Sequence, residues 1–106
     1  MAAMSRNEAT QLFEILDEVF GVFRQSEMND RAQEFYDSKR EEFIESYSTE
    51  IPASFWFQGV GCPSASLDFD SSGFNISLNH LSLHRQTEAS RDVANEKIKN
   101  SGFIIV

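Results

Sequence analysis

The residue types that could act as a nucleophile and its base are few and scattered along the chain. Cys62 is the single cysteine, and a reactive thiolate there would need a histidine base and a carboxylate to orient that base. His80 and His84 are the candidate bases, and Asp68 and Asp70 are the candidate carboxylates. No motif or spacing brings these groups together. The sequence therefore predicts a structural cysteine and a protein that is not an enzyme.

The same histidines are poor candidates for a metal site. His80 and His84 are four residues apart, a spacing that suits zinc on a helix, but they lie on a predicted strand and at its end. Apart from Asp68 or Asp70 on a neighbouring strand, no residue is spaced to serve as a third ligand. An aromatic platform for nucleic-acid bases at Phe55, Trp56 and Phe57 is also disfavoured, because residues 51–84 contain no Lys or Arg. We expect no metal and no cofactor. Trp56 is expected on the opposite face of its strand from Phe55 and Phe57, covered by a helix or a partner chain.

The clearest pattern is a row of five carboxylates, which we call the carboxylate row. At about 100° per residue its members fall within about 80° of arc and span roughly 22 Å of one predicted helix. Ile44 borders the row and is predicted to point toward solvent. The row is either the solvated face of an acidic protein or a docking surface for a basic partner, with Ile44 and Tyr47 as its apolar anchor. Its members are Asp30, Glu34, Asp37, Glu41 and Glu45.

The net charge indicates which partners are compatible with this row. The chain has 17 acidic and 9 basic side chains and a formal charge of −8, and 12 of the acidic residues lie within residues 1–50. Nucleic acid and anionic membranes would repel such a protein. A basic groove in a nuclease or a nucleic-acid-binding complex would attract it. A basic protein surface is therefore the predicted partner, with no direct nucleic-acid or membrane contact, and a homodimer remains possible.

Two amphipathic helices are predicted in the first half of the chain. Ser5 and Glu8 form a capping box before a helix at about 6–25, and Asn29 or Asp30 can cap a second helix that ends near Tyr47. Because the link between them is short, they should form an antiparallel hairpin. The first apolar face comprises Ala9, Leu12, Phe13, Leu16, Val19, Phe20 and Phe23, and the second comprises Ala32, Phe35, Tyr36, Phe43 and Tyr47.

The second half reads as strands followed by one helix. Alternating apolar residues predict strands at about 54–57, 65–70 and 74–78, with a glycine-containing loop at 59–63 and a hairpin turn at 70–73. Asn79 and His80 form either a bulge or a second hairpin turn. Thr87 should cap a last helix with Ala89, Val93, Ala94 and Ile98 inside, before a final strand at 103–106. The expected fold is a single α+β domain over residues 1–106, in the order α-α-β-β-β-α-β.

In size, acidity and lack of catalytic motifs, the chain resembles the broad class of small acidic inhibitor proteins. That class includes immunity proteins against nuclease toxins and phage-encoded inhibitors such as anti-CRISPR proteins. The resemblance implies a non-enzymatic inhibitor that blocks its target through a charged surface. The lone cysteine, with no signal-peptide pattern and no membrane-spanning run, predicts a reducing cytoplasm. The alternative is a structural or adaptor subunit that self-associates through its sheet face or its terminal strand.

Overall fold

The computed structural model describes residues 2–22, 30–59, 62–79 and 85–105. Its elements are helices α1 (Arg6–Phe20), α2 (Asp30–Thr49) and α3 (Arg85–Ser101), and strands β1 (Ser54–Gly59), β2 (Cys62–Asp70) and β3 (Gly73–Leu78). The strands form one antiparallel sheet in the order β1-β2-β3. The predicted α+β class is confirmed, with the order α-α-β-β-β-α. In the described residues no helix is long and apolar enough to cross a membrane.

Helix α1 begins as predicted and ends earlier. The Ser5 hydroxyl accepts the backbone N–H of Glu8 at 3.2 Å, the first half of the capping box. Gly21 then adopts a left-handed conformation (φ 62°) and donates its N–H to the carbonyl of Asp17, which ends the helix. The predicted continuation to residue 25, including Phe23, lies outside the described residues.

The two N-terminal helices are antiparallel. The side chain of Arg6 contacts Glu41, and the ring of Phe13 meets those of Phe43 and Tyr36 edge-on, at 5.6 and 5.5 Å. The backbone N–H of Met4 bonds the carbonyl of Tyr47 and holds the start of the chain against the end of α2. The predicted helical hairpin is therefore confirmed.

Helix α2 is rotated relative to the prediction. The buried residues are Phe43, Ile44 and Tyr47, whereas Phe35, predicted to be inside, is 37 % exposed. Viewed down the axis, the buried face is displaced by about 50° toward α1, as estimated at 100° per residue. The displacement occurs because α2 packs into the angle between α1 and the sheet rather than flat on the sheet.

The sheet presents its aromatic face to the helices. Phe55, Phe57, Leu67, Phe74 and Ile76 point to that side, and ring contacts join Phe20 to Phe57 and both Phe43 and Tyr47 to Phe55. The strands are longer than predicted, because Gly59, Cys62 and Pro63 lie in β1 and β2 rather than in a loop. The turn at 70–73 is confirmed, with Gly73 at φ 105°.

Helix α3 covers the β3 side of the sheet. The side-chain oxygen of Asn95 accepts the backbone N–H of Ile76 at 2.8 Å. Ala94 and Ile98 are buried as predicted, but Thr87 lies buried within the helix rather than at its cap, and Ala89 and Val93 are exposed. Because α3 meets the edge of β3, its buried face is narrow and excludes both of these residues.

The last predicted strand is wrong. Gly102 (φ 66°) ends α3, as predicted. Beyond it, Ile105 makes only an isolated antiparallel bridge to Met4, and Ile104 is 68 % exposed. Phe103 packs on Phe74, with ring centroids 6.1 Å apart. A short apolar run forms a strand only where a sheet edge receives it, and here the chain returns to the N-terminus instead. The bulge or turn predicted at Asn79 and His80 cannot be followed past Asn79, because residues 80–84 lie outside the described residues.

Candidate functional site

Helix α2 holds the carboxylate row on one exposed flank. Glu34, Asp37, Glu41 and Glu45 are all exposed there, and between Glu34 and Glu45 they follow about 17 Å of the helix axis. Asp30, the fifth member, is the first residue of α2, and its side chain lies outside the described part of the structure. The row therefore forms a linear array of carboxylates along the helix.

The apolar anchor predicted beside the row is wrong. Ile44 is 2 % exposed and Tyr47 is 1 % exposed, so both side chains belong to the core. Ile44 is buried because the rotation of α2 turns this edge of its exposed arc toward α1. No partner could contact Ile44 without unfolding the helix pair, so it is a core residue and the row lacks this apolar centre.

Among the described residues, the carboxylates of two row members have polar partners. The guanidinium of Arg6 pairs with Glu41, and the side-chain amide of Gln33 donates to Asp37 at 3.0 Å. More than half of each side chain in the Arg6–Glu41 pair is exposed, and exposed ion pairs contribute only about 0–1 kcal/mol. The row thus stays open to solvent, and Arg6 is a neighbouring cation that sequence spacing could not place.

The flank of α2 next to β1 differs from the row. Here the Lys39 ammonium lies 3.4 Å from the carboxylate of Glu42 and 5.6 Å from the ring centre of Phe35. A cleft of about 130 Å³ opens between α2 and β1, and its lining is mainly aromatic. Its lining residues are Lys39, Glu42, Phe43, Ser46, Tyr47 and Phe55. The described side chains of this flank include one cation and one anion, which pair with each other.

Tyr47 is the least accommodated polar side chain in this region. Its hydroxyl is buried and has no hydrogen-bond partner among the described residues. Burial raises the pKa of Tyr47 above its ordinary value because the interior disfavours the phenolate. The ring is nevertheless well packed, since it stacks on Phe43 with centroids 4.3 Å apart. Tyr47 therefore acts as a large core aromatic.

The groups considered for nucleophilic chemistry are described only in part, and the described members lie far apart. Cys62 begins β2 and Asp68 lies six residues further along the same strand, a separation of about 20 Å. Asp70 is two residues farther still. The side chain of Cys62 and all of His80 and His84 lie outside the described residues.

Both carboxylates of β2 have local structural partners. Asp68 accepts hydrogen bonds from the hydroxyls of Ser54 and Ser77, at 2.9 and 3.0 Å, and so links all three strands on the outer face. Asp70 accepts both the hydroxyl and the backbone N–H of Ser72 in the hairpin turn, and these bonds lower the pKa of its carboxyl. Cross-strand linkage and turn formation account for these two residues.

Trp56 is the one large aromatic side chain that projects from the described surface of the sheet. It lies on the opposite face from Phe55 and Phe57, as predicted, but it is 68 % exposed rather than covered by a helix of this chain. Its neighbours across β2 and β3 are Ser66 and Ser77. The alternation predicts the direction of Trp56, whereas the lack of a covering helix depends on the tertiary arrangement.

Neither a metal site nor a similarity to known proteins assigns a role to these features. Within the described residues, no group of three or more His, Cys, Asp or Glu side chains could hold a metal ion. No protein-family model and no curated protein matches the sequence, and no solved structure matches the fold.

Proposed function

We propose that this protein is a non-enzymatic inhibitor that binds a basic, nucleic-acid-handling protein through the carboxylate row. The observation that supports this proposal is the exposure of Glu34, Asp37, Glu41 and Glu45 along one flank of a single helix. Such an array can occupy a groove that Lys and Arg line for a phosphate backbone. It would also accelerate encounter with a cationic surface. An anti-CRISPR-like inhibitor or a nuclease-toxin immunity protein would act in this way, and the cytoplasm is the expected location.

The energetics of the row support a role outside folding. Four successive like-charge pairs along a helix cost roughly 1–2 kcal/mol at about 0.2–0.5 kcal/mol each. Arg6 offsets only the part of this repulsion that involves Glu41. The helix is held instead by Phe43, Ile44 and Tyr47 on its other side. The row is therefore dispensable for the fold, and its carboxylates are available to a partner.

A charge-reversal variant with a matched control tests the proposal. The row variant carries Glu34→Lys, Asp37→Lys and Glu45→Lys, and it leaves Glu41 in place because a lysine there would repel Arg6. The control carries Glu14→Lys, Glu50→Lys and Glu96→Lys, three exposed positions outside the row that change the net charge equally. Both variants should keep the wild-type circular dichroism spectrum.

The two variants and the wild type are used as baits in host lysate at low and high salt, and mass spectrometry identifies the retained proteins. The wild type and the control should retain the same basic nuclease or nucleic-acid-binding complex, and high salt should release it. The row variant should lose that protein. With purified target, the association rate of the row variant should fall by about 10-fold or more at low salt. Equal retention by the row variant would refute the proposal.

The alternative, a structural subunit that self-associates through its terminal strand, loses support because the described residues 103–105 do not form a strand. The other part of that alternative, association through the sheet, depends on what the exposed Trp56 contacts.

A further inference from the structure

Trp56 projects from a layer of small polar side chains on the outer face of the sheet, the face opposite Phe55 and Phe57. Ser66 lies across from Trp56 on β2, and Ser77 lies across from Ser66 on β3. Because serine side chains are short, they leave most of the indole uncovered, and Trp56 is 68 % exposed. The outer face therefore offers the π surface of an indole to a ligand.

The strands give this outer face an acidic character. Asp68 and Asp70 both lie on it, and residues 51–84 contain no Lys or Arg, so no strand contributes a cation. The carboxylate oxygens of Asp68 accept hydrogen bonds from the hydroxyls of Ser54 and Ser77. Since an ionised carboxylate has about four acceptor positions, Asp68 can still accept hydrogen bonds from a ligand.

Trp56 and Asp68 are close enough to share one cation. Ser54 pairs with Asp68 and Trp56 pairs with Ser66, so Trp56 and Asp68 are diagonal neighbours on the same face. Diagonal neighbours in an antiparallel pair are about 7–8 Å apart. A cation attracted to the face of an indole lies within about 6 Å of the ring centre. A cation between the two side chains can therefore contact the ring and the carboxylate together.

The charge of this face indicates which molecule it fits. A second copy would bring the same carboxylates, Asp68 and Asp70, against the first and would be repelled, as would the phosphates of nucleic acid or of an anionic membrane. Arg91 of α3 lies beside β3, but its guanidinium pairs with Asp92 at 3.2 Å, so this pair adds no net charge. A cationic ligand is complementary to the face. A guanidinium suits it best, because it is planar, stacks on aromatic rings and donates several hydrogen bonds to carboxylates.

We propose that the outer face of the sheet is a docking surface for a partner protein that presents an arginine side chain. The guanidinium stacks on the indole of Trp56 and donates hydrogen bonds to the carboxylate of Asp68. Asp70 adds electrostatic attraction from the neighbouring turn. The carboxylate row lies on α2, which packs on the other face of the sheet, so this inference does not rest on the proposed function.

A short peptide tests the proposal on the wild-type chain, because Trp56 is its only tryptophan. The probe is a pentapeptide with blocked ends and a central arginine flanked by glycine and serine, titrated at about 0.15 M salt to screen distant charges. Trp56 emission should change saturably. The same peptide with neutral citrulline should bind about 5-fold more weakly or worse, because it loses the charge. No saturable change up to about 10 mM arginine peptide, or equal binding of the citrulline peptide, would overturn the proposal.

Variants locate the bound arginine, with nuclear magnetic resonance shifts of the backbone amides of Ser66 and Asp68 as the readout. Trp56→Leu should raise the peptide Kd about 3- to 5-fold through loss of the cation–π contact. Asp68→Asn should raise it by a similar factor, and its amide can still bond both serine hydroxyls. Glu14→Gln makes the same charge change at an exposed position on α1 and should keep the wild-type Kd. Wild-type affinity in both the Trp56 and Asp68 variants would overturn the assignment to this face.

The row variant distinguishes this proposal from the proposed function. With Glu34→Lys, Asp37→Lys and Glu45→Lys in place, the arginine peptide should still shift the amides of the outer face, with a Kd within about 2-fold of the wild-type value because salt screens the distant row. If the row variant lost the peptide and Asp68→Asn retained it, the docking site on the outer face would be wrong, and the proposed function would be unaffected.

Discussion

Truncation of Ile44 tests whether this side chain lies in the core, as the structure places it, or on the surface, as the sequence pattern favoured. Ile44 is 2 % exposed beside Phe43 and Tyr47. Ile44→Ala removes three buried carbon groups, worth about 0.8 kcal/mol each, and leaves a cavity that adds to the loss. We therefore expect the free energy of unfolding to fall by about 3 kcal/mol, against a total of roughly 5–15 kcal/mol for a domain of this size. Ile44→Val, with one carbon removed, should cost about 1 kcal/mol.

Urea unfolding followed by far-ultraviolet circular dichroism at pH 7 measures both losses. Ile104→Ala is the matched control, because the same chemical change occurs at a residue that is 68 % exposed and should cost less than about 0.5 kcal/mol. The three variants should have similar dependence on urea concentration, so that differences in midpoint report stability. A loss below about 1 kcal/mol for Ile44→Ala would refute the rotation of α2 and restore Ile44 as a surface residue.

Three further predictions concern polar groups in or beside the core. Asn95→Ala should lower the free energy of unfolding by about 1–3 kcal/mol because it leaves the backbone N–H of Ile76 without its acceptor. Asn95→Asp keeps an acceptor and should lower the free energy of unfolding by less. Equal losses for the two variants in urea unfolding would contradict the role of the Asn95 oxygen. Tyr47→Phe should leave the free energy of unfolding at pH 7 unchanged or raise it by up to about 1 kcal/mol, because the hydroxyl has no hydrogen-bond partner among the described residues. A fall in the free energy of unfolding would contradict this expectation. Since burial raises the folded pKa of Tyr47, the unfolded chain ionises first, and wild-type stability should fall as the pH rises above about 10. Tyr47→Phe should reduce that alkaline loss.

The parts of the fold that could be predicted from sequence are those governed by local rules. The capping box at Ser5 and the 3.6-residue period identify α1, and strict alternation with a turn at 70–73 identifies β2 and β3. At both ends of α3, helix signals compete with tertiary contacts. Gly102 ends the helix as expected, whereas Thr87 is drawn into its buried face and does not cap it.

The parts that could not be predicted depend on how the elements meet. The apolar residues of α2 cover about half of its circumference, at 100° per residue, when Phe35 and Ile44 are both counted, so periodicity permits two orientations of the helix. The packing angle against α1 selects the one that buries Ile44. In the same way, alternation shows that Trp56 faces away from Phe55. Only the arrangement of all three helices on the other face leaves Trp56 exposed.

The rotation of α2 also gives the helix two distinct exposed surfaces. With Ile44 buried, the row is bounded on one side by α1 and carries no apolar centre, so its attraction to a partner is electrostatic and falls with salt. The flank beside β1 carries Phe35 and the cleft lined by Phe43, Tyr47 and Phe55, and contact there is governed by apolar area. The two surfaces face different directions, so contact at one of them leaves the other exposed. Each surface can therefore be altered without the other.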